Sequence, residues 1–299
     1  MNSMNSTIQK LSEEKLQESY RHCEYVAKTQ ARNFYFSFVT LPPDKKAAMC
    51  AIYAFMRYSD DVSDEAAINT SKAEEMQAWR KALTNALNGE YADNLILPAF
   101  HDTVMKYKIP ESYFHELIDG TEMDLTINRY ATWEELRVYC YRVACLVGFV
   151  CIHVWGFDPA EGKALEYSEA CGLAFQLTNI LRDIKEDHER NRIYLPADEM
   201  QQFKVSEDML GASQVTTELR ELIKYEVHRA ELLYEDAWKL MPLLHKDGQS
   251  TLRIMIEIYY GILSEIKRSD YEILNKRASV PTVKKLGLVA KAWVRSRMR

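Results

Sequence analysis

Two clusters of aspartate residues are the part of the sequence best suited to chemistry. The first cluster reads DDVSD over residues 60–64, and the second reads DIKED over residues 183–187. In each cluster the first and last aspartates are four residues apart, so on a helix they share one face. Carboxylates held this close repel one another and are costly to remove from water, so they need cations. Mg²⁺ is the natural cation, because it prefers carboxylate oxygens and commonly bridges them to substrate phosphates.

The rest of the sequence argues against other kinds of site. A calcium EF-hand loop needs a glycine at its turn, and neither cluster has one. The sequence has no glycine-rich phosphate loop, which excludes a P-loop nucleotide enzyme. The seven histidines are scattered and form no zinc spacing such as HExxH. A diphosphate held by metal ions and arginines is therefore the best match to the two clusters.

Arginine and amide side chains accompany both clusters. Arg57 lies one turn before the first cluster, and Arg182 directly precedes the second. Gln176 and Asn179 lie seven and four residues before Asp183, so on a helix they share its face. Guanidinium groups bind phosphate oxygens in pairs, and amides can complete a metal or phosphate shell. One acidic pair alone is usually a solvated helix face, but two pairs, each beside an arginine, indicate a functional site.

The elements that must position these residues are helices. Each cluster ends a strongly apolar stretch, AIYAFMRYS before the first and CGLAFQLTNIL before the second, which predicts a helix buried on most sides. Helical periodicity continues through almost the whole chain, and strand patterns are nearly absent. We expect helices over residues 12–30, from about 44, and over 71–88, 94–107, 111–128, 132–155, 160–188, 206–211, 214–240, 248–274 and 281–297. The sequence therefore predicts an all-α protein.

The domain organisation is predicted from the absence of any linker or change of composition in the body of the chain. Residues 20–275 are expected to form a single catalytic domain, preceded by an N-terminal extension at 1–19 and followed by a basic amphipathic tail at 276–299. The polar N-terminus and six cysteines without a CxxC pair predict reduced thiols and a cytoplasmic protein. No run reaches 18 uncharged apolar residues, so no membrane-spanning helix is expected.

The charge distribution sets the tail apart from the body. The formal net charge of −6 argues against a nucleic-acid partner, yet residues 276–299 contain eight basic residues and no acidic ones. This tail is expected to lie on an anionic membrane at the inner face, or else to be a solvated helix end. In the membrane interpretation, the apolar contacts would come from Leu286, Leu288, Val289, Trp293 and Val294.

Four stretches of the sequence resemble signatures of the squalene/phytoene synthase family, whose members join two prenyl diphosphates head to head. The longest is GLAFQLTNILRDIKEDHERNRIYLP at 172–196, and the others are ARNFYFSFVTLPPDKK at 31–46, CAIYAFMRYSDDVSDE at 50–65 and YCYRVACLVG at 139–148. The resemblance continues in order from about residue 20 to residue 275. It implies an isoprenoid-synthase fold, a single domain of many helices around a central cavity. The mouth of that cavity would bind three Mg²⁺ ions, with Mn²⁺ as an alternative ion.

The resemblance also implies roles for individual residues. The metal ligands would be Asp60, Asp61, Asp64, Asn179, Asp183 and Asp187. The residues in contact with substrate diphosphate would be Arg57, Arg182, Gln176, Asn179, Tyr259, Asn33 and Arg277, with Tyr260 as the competitor of Tyr259. The catalytic residues would be Tyr139, Asp60, Asp64, Asp183 and Asp187. Asn33 stands where many relatives have a serine-rich segment, which leaves the first diphosphate contacts there open.

Two farnesyl diphosphates giving a presqualene diphosphate or squalene-type product are the first expectation, because FYFSFVTLP and IDGTEMDL look most like bacterial members of that kind. Two alternatives stay open: a phytoene synthase that uses two geranylgeranyl diphosphates, and an inactive relative that serves as an assembly protein. A terpene cyclase of one prenyl diphosphate would share the metal chemistry, but its second metal motif usually differs from NILRDIKED. The family's nicotinamide site has no dinucleotide fingerprint, so the use of NADPH is left undecided.

Three smaller hypotheses concern the cavity. Candidate wall residues are Phe34, Phe38, Tyr53, Phe55, Phe149 and Phe175, with core packing as the alternative. Gly148 and Gly172 would either let a prenyl chain approach the backbone or let helices pack closely. The polar segment HERNRIYLP after the second cluster is expected to form a flap over the diphosphates, with Arg190 or Arg192 in contact with them.

Overall fold

Helices make up almost all of the regular structure. The computed structural model describes residues 12–30, 35, 37–64 and 71–297, apart from the side chains of residues 63, 64, 71 and 292–297. Within these ranges the chain contains no strand, only two isolated β-bridges that pair Arg129 with Ile193 and Phe157 with Leu244. The prediction of an all-α protein is confirmed.

The α-helices are numbered here in chain order. They are α1 (Glu13–Gln30), α2 (Pro43–Asp64), α3 (Ser71–Leu87), α4 (Leu97–Tyr107), α5 (Ser112–Thr126), α6 (Trp133–Cys140), α7 (Leu146–Trp155), α8 (Lys163–Glu189), α9 (Ala197–Gln202), α10 (Glu207–Leu210), α11 (Thr217–Lys239), α12 (Lys246–Arg268) and α13 (Thr282–Arg297). A π-helical turn, Tyr141–Cys145, joins α6 to α7 without a break. Short 3₁₀ turns lie at Ala160–Gly162 and Met241–Leu243.

The start of α6 follows from local chemistry. The Thr132 side chain accepts a hydrogen bond from the backbone N–H of Glu135, and the Glu135 carboxylate accepts one from the backbone N–H of Ala131. The first bond satisfies a backbone donor that the first helical turn leaves without a partner, and the second holds the residue that precedes the N-cap. The helix that carries Tyr139 therefore begins at a well-defined residue.

The structure departs from the predicted helices in three places. Helix α12 ends at Arg268 rather than 274, because Asp270 and Tyr271 adopt positive φ angles of 53° and 62° and turn the chain out of the helix. The short helix α9 was not predicted, and the predicted helix over 132–155 contains the π turn. A π turn requires one more residue per hydrogen-bonded ring, which hydrophobic periodicity does not reveal.

The π turn packs directly on Gly172 of α8. A Cβ atom at Gly172 would lie 2.6 Å from the Cα of Cys145, so only glycine permits this backbone contact. A Cβ at Gly148 would lie 3.0 Å from the Oγ of Ser168. Both glycines thus allow close helix packing. Both also line the cavity described below, so close packing and close approach of a prenyl chain are compatible at these positions.

Helix α8 lies at the centre of the packing. It contacts α6, the π turn, α7, α11 and α12, and its buried face includes Leu173, Leu177, Ile180 and Leu181. Among the described residues, the segment Trp133–Trp155 is apolar enough by composition to cross a membrane, with a mean hydropathy of 1.7. Because 56% of that window is buried inside the protein, the segment has the character of a core helix.

Candidate active site

Helices α2, α7, α8 and α12, with the π turn, line a cavity of about 280 Å³. Most of its lining is apolar and comes from Met49, Ile52 and Met56 of α2, Val147, Cys151 and Ile152 of α7, Cys171 and Phe175 of α8, and Leu252 and Met255 of α12. Its polar lining includes Arg57, Asp60, Gln176 and Asn179. An apolar cavity with a few polar groups suits a hydrocarbon chain that carries a charged head.

The two ends of the cavity differ in chemistry. The Lys45 ammonium donates a hydrogen bond to the backbone oxygen of Trp155, so Trp155 lies near the start of α2. Asp60 lies fifteen residues further along α2, or about 22 Å of helix. We call the end at Asp60 and Asn179 the mouth and the end at Trp155 and Leu252 the floor. The charged residues that line the cavity, Arg57 and Asp60, are therefore at the mouth.

At the second cluster, arginines already pair with Asp183. Arg182 donates to both carboxylate oxygens of Asp183, and Arg277 Nε donates to Oδ1 at 2.8 Å. Burial alone would raise the pKa of Asp183, but the hydrogen bonds from Arg182 and Arg277 outweigh it and hold that pKa below its usual range. The structure thus brings Arg182, Asp183 and Arg277 into one group, although Arg277 is 94 residues away in sequence.

Asp187 is in a different electrostatic state from Asp183. Burial raises the pKa of Asp187 to about 7, and the negative charge of Asp183 adds to the shift. Arg190 and Arg192 oppose the shift but do not cancel it. Ionising Asp187 is therefore costly in the protein alone, and a bound cation would stabilise its charged form.

The polar residues one and two turns before Asp183 face the mouth. Asn179 Nδ2 donates to Gln176 Oε1 at 3.4 Å, and both residues line the cavity. Tyr259 also lines the cavity, stacks on Phe175 with ring centroids 4.4 Å apart, and is hydrogen-bonded with Asn179. Tyr260, its competitor in the sequence, is 40% exposed and packs against Tyr234 instead. Tyr259 is therefore the tyrosine that α12 presents to the mouth.

At the first cluster, Arg57 and Asp60 line the cavity, and Arg57 forms an ion pair with Asp61. The Nε of Arg57 is buried and has no hydrogen-bond partner among the described residues. A buried guanidinium nitrogen without a partner is costly, and an anion at the mouth would satisfy it. The side chain of Asp64 lies outside the described part of the chain, as does all of Asn33.

The donor set fits Mg²⁺ held jointly by protein and substrate. Nowhere in the described ranges do three carboxylate, histidine or cysteine side chains form a ready-made metal cage. Asp60 and Asn179 instead face the cavity, and Asp183 and Asp187 follow Asn179 along α8. Mg²⁺ typically takes one or two carboxylates and completes its octahedron with waters and phosphate oxygens. These oxygen donors, together with the unpartnered Nε of Arg57, suit a metal–diphosphate complex better than a bare ion.

Tyr139 does not line the cavity. Its hydroxyl donates to Asp124 at 3.1 Å, Tyr194 donates to the other oxygen of Asp124 at 3.1 Å, and the two tyrosine rings stack 5.2 Å apart. Burial raises the pKa of Tyr139 well above its ordinary value. Tyr194 and Asp187 both line a second, smaller pocket, so the tyrosine pair lies near the second cluster without lining the cavity. The catalytic role assigned to Tyr139 stays a prediction.

The segment expected to form a flap after the second cluster is fastened to the loop before α6. Arg129 donates to the backbone oxygen of Asn191 at 2.8 Å and to both carboxylate oxygens of Glu207. The backbone N–H groups of Ile193 and Ala197 donate to the carbonyls of Asn128 and Tyr130. We call residues 190–197 and these contacts the clamped loop. Its arginines, Arg190 and Arg192, lie close enough to Asp187 to lower its pKa.

Sequence reasoning missed Asp124, Arg129 and Lys285. Burial lowers the pKa of Lys285, and the neighbouring charge of Arg182 lowers it further, so Lys285 lies near Arg182. The basic composition of the tail was the one signal in the sequence, and it did not indicate which lysine turns inward.

The aromatic residues expected to form the cavity wall are only partly found there. Phe38, Tyr53 and Phe175 line the cavity, whereas Phe55 stacks on Phe100 in the core. Phe34 lies outside the described residues. Phe149 also packs away from the cavity, against Tyr113 and Tyr141.

Comparison with known proteins decides the family. The family model of the squalene/phytoene synthases matches residues 27–284. The chain belongs to the squalene/phytoene synthase family. It is 36% identical over 293 residues to the 15-cis-phytoene synthase of Synechocystis, covering 95% of this chain and 87% of that protein. It is 34% identical to the phytoene synthase of Arthrospira platensis, covering 94% of each chain.

Solved structures of this family share the architecture. A dehydrosqualene synthase superposes with a TM-score of 0.85 at 26% identity, covering 96% of this chain and 99% of that one. A squalene synthase from Alicyclobacillus acidocaldarius gives a TM-score of 0.80 at 28% identity, covering 87% and 97%. The predicted isoprenoid-synthase fold and family are thus confirmed. Head-to-head transfer of prenyl groups, the chemistry of this family, is supported over a terpene cyclase of one substrate.

Proposed function

We propose that this member of the squalene/phytoene synthase family joins two prenyl diphosphates head to head in a Mg²⁺-dependent reaction. The observation that carries the proposal is the mouth of the cavity. There Arg57 and Asp60 from α2 face Gln176 and Asn179 from α8, above an apolar interior. This arrangement fits the diphosphate in the polar mouth and the prenyl chain in the apolar interior.

The residues that would hold Mg²⁺ are Asp60, Asp61 and Asp64 on one side and Asn179, Asp183 and Asp187 on the other. When bound, the ions neutralise the charge that develops on the departing diphosphate. Arg57 and Arg182 bind the same oxygens through their guanidinium groups, with Tyr259 and Arg277 as further contacts. We keep Asn33 and Tyr139 among the proposed site residues on the family resemblance.

The reaction begins when the bond between C1 and the diphosphate oxygen breaks. The electron pair leaves with the diphosphate, and an allylic cation remains in the cavity. The apolar walls of α2 and α7 exclude water, which would otherwise trap the cation as an alcohol. The stacked rings of Phe175 and Tyr259 line the cavity that holds the cation, and the faces of such rings attract positive charge. A double bond of the second substrate then attacks C1 and forms the new carbon–carbon bond, and loss of a proton to the released diphosphate closes a neutral cyclopropane that still carries the second diphosphate. Ionisation of that second diphosphate, followed by rearrangement and loss of another proton, gives the hydrocarbon.

The chain length of the substrate is the finer part of the proposal. We place two geranylgeranyl diphosphates and a phytoene-type product first, because the relatives at 36% and 34% identity are phytoene synthases. Two farnesyl diphosphates, the first expectation from the sequence, remain the second candidate, supported by the dehydrosqualene and squalene synthase structures. Geranylgeranyl diphosphate is one isoprene unit longer, so the floor at Trp155 and Leu252 is the place where the two would differ.

The test is to incubate the protein with each prenyl diphosphate separately and identify the hydrocarbon and the released pyrophosphate. Parallel reactions contain Mg²⁺, Mn²⁺ or a chelator, each with and without NADPH. We expect a C40 product from geranylgeranyl diphosphate, loss of turnover with chelator, and no requirement for NADPH. A C30 product from farnesyl diphosphate alone would reverse the order of the two candidates. No pyrophosphate from either substrate would support the inactive assembly protein instead.

A further inference from the structure

The C-terminal helix α13 has two faces with different surroundings. Leu288 and Val289 turn inward and pack against the core, so the structure removes them from the apolar face predicted for the tail. Val283 is 81% exposed and Leu286 is 50% exposed. The side chains of Trp293 and Val294 are outside the described part of the chain. Helix α13 thus presents large apolar side chains to solvent.

The exposed residues lie in one stripe. Positions 283, 286, 287 and 290 follow the i, i+3, i+4, i+7 spacing of one helical face, and all four are exposed. They are Val283, Leu286, Gly287 and Ala290, with no charged group among them. We call these four residues the outer stripe. A stripe of this kind that faces water on a packed helix marks a surface that contacts something else.

Positive charge lies beside the outer stripe. Lys284 and Lys291 are exposed, and neither forms an ion pair with a residue that the structure describes. The region from residue 276 to the end carries eight basic and no acidic residues, whereas the remainder has 30 Lys and Arg against 44 Asp and Glu. An acidic body with a basic, partly apolar helix has the charge pattern that orients a protein on an anionic surface.

The helix also lies beside the mouth of the cavity. Helix α13 packs on α12, which carries Tyr259, and Lys285 is close to Arg182. Arg277, five residues before α13, reaches Asp183. A surface that covered the outer stripe would therefore be near the entrance of the substrate. Given the proposed function, both the prenyl substrate and its hydrocarbon product are lipids that partition into a bilayer.

We propose that the outer stripe, with Lys284 and Lys291, docks this protein on the surface of an anionic lipid bilayer next to the cavity mouth. Apolar side chains enter the headgroup boundary while the lysines bind lipid phosphates. The positive charge of the region selects an anionic bilayer over a neutral one. A second copy of the chain would compete for the same stripe, and the experiment separates the two.

The experiment measures co-sedimentation of the full-length protein with vesicles and needs no substrate, so its result is independent of the proposed function. Phosphatidylcholine vesicles are compared with mixed phosphatidylcholine and phosphatidylglycerol vesicles. We expect binding to the mixed vesicles, weaker binding to the neutral ones, and a loss of binding as salt is raised. No binding of the wild type to mixed vesicles overturns the proposal.

Matched variants locate the surface. The double variant V283D/L286D is expected to bind mixed vesicles at least about tenfold more weakly, and K284Q/K291Q about tenfold more weakly. The apolar control is L232D on α11, because Leu232 is 51% exposed, like Leu286. The charge control is K15Q/K81Q, which removes two exposed lysines of α1 and α3.

Two further outcomes overturn the proposal. Stripe variants that bind as the wild type does would place the docking surface elsewhere. Wild type that self-associates in sedimentation velocity, and loses this with V283D/L286D but not with L232D, would assign the stripe to a second copy. Circular dichroism of each variant confirms that it is folded. Turnover with detergent-solubilised substrate is expected to be unchanged in the stripe variants.

Discussion

The two aspartate clusters lie on the helices that bring Asp60 and Asn179 to the mouth, but they are held differently. In the second cluster, Asp183 is only 15% exposed and accepts hydrogen bonds from two arginines. In the first cluster, Asp61 is 36% exposed, and Arg57 is its ion-pair partner within the described ranges. The second cluster is followed by the clamped loop, which Arg129 fastens to the rest of the protein. One side of the mouth is therefore ordered by ion pairs, and the other is more open to solvent.

This difference indicates that the two sides of the mouth bind their ligands in different ways. On α2, the buried Nε of Arg57 has no acceptor among the described residues, so a phosphate oxygen can bind it without displacing an existing partner. On α8, Oδ1 of Asp183 already accepts hydrogen bonds from Arg182 and Arg277, so a metal ion held by that oxygen would replace one of them. We infer that a ligand at the second cluster replaces hydrogen bonds that are already present. At the first cluster, a ligand binds to a donor that has no partner among the described residues. This asymmetry predicts unequal losses of activity when residues on the two sides are substituted.

The largest effect is expected from the second cluster itself. Asp183→Asn should lower kcat/KM about 10³-fold, because a neutral amide cannot replace the charge that holds the cation at the departing diphosphate. Asp61→Asn should cost about tenfold, since Asp61 is more exposed and does not line the cavity. Steady-state kinetics over a range of Mg²⁺ concentrations measure both. Asp236→Asn, an exposed pair on α11, is the control. Equal losses in both cluster variants would refute the asymmetry.

Much of this site was predictable from the sequence, because its signals are local. Spacings of three and four residues placed Gln176, Asn179 and Asp183 on one face of a helix, and apolar stretches predicted that α2 and α8 are buried. The pairing of Arg277 with Asp183 was not predictable, since it depends on how the chain returns after α12. The π turn was missed for a related reason: it is fixed by contact with Gly172, far along the chain.

The next effect concerns the charged group that holds α9, the short helix that follows the clamped loop. Arg229 of α11 donates to Glu199 of α9 and to Glu226 on its own helix, and Glu226 is fully buried. Arg229→Met leaves the Glu199 carboxylate without its counterion and Glu226 without its hydrogen-bond donor, and should lower the free energy of unfolding by about 3 to 5 kcal/mol. Urea denaturation measures it. Lys239→Met, on the same helix with an exposed partner, should change stability by less than about 1 kcal/mol. A change of that small size in Arg229→Met would show that α9 is held by other contacts.

A smaller effect is expected at the loop itself. Arg129→Gln removes the fork that joins Asn191 and Glu207, so the arginines of the clamped loop lose their fixed position near Asp187. We expect KM to rise about tenfold with little change in kcat, since a misplaced positioning group weakens substrate binding. Arg129→Lys should not restore KM, because an ammonium cannot make the forked contacts. The control is Arg220→Gln, which breaks an exposed pair with Asp270. An unchanged KM in Arg129→Gln would mean that the loop contributes nothing to binding.

The smallest effect at neutral pH is predicted for Glu226→Gln. Burial raises the pKa of Glu226 well above its ordinary value, so the folded protein keeps a proton there that the unfolded chain has lost. Between the unfolded and the folded pKa, the folded state binds more protons, and stability falls as pH rises, by at most about 1.4 kcal/mol per pH unit. Glutamine stays neutral, so the variant should lose this slope while keeping the hydrogen bond capacity of the site. Urea denaturation at several pH values above 4.5 measures the slope, with Glu235→Gln on the same helix as the control. If Glu226→Gln is as unstable as Arg229→Met at neutral pH, then Glu226 is ionised, and both carboxylates depend on Arg229.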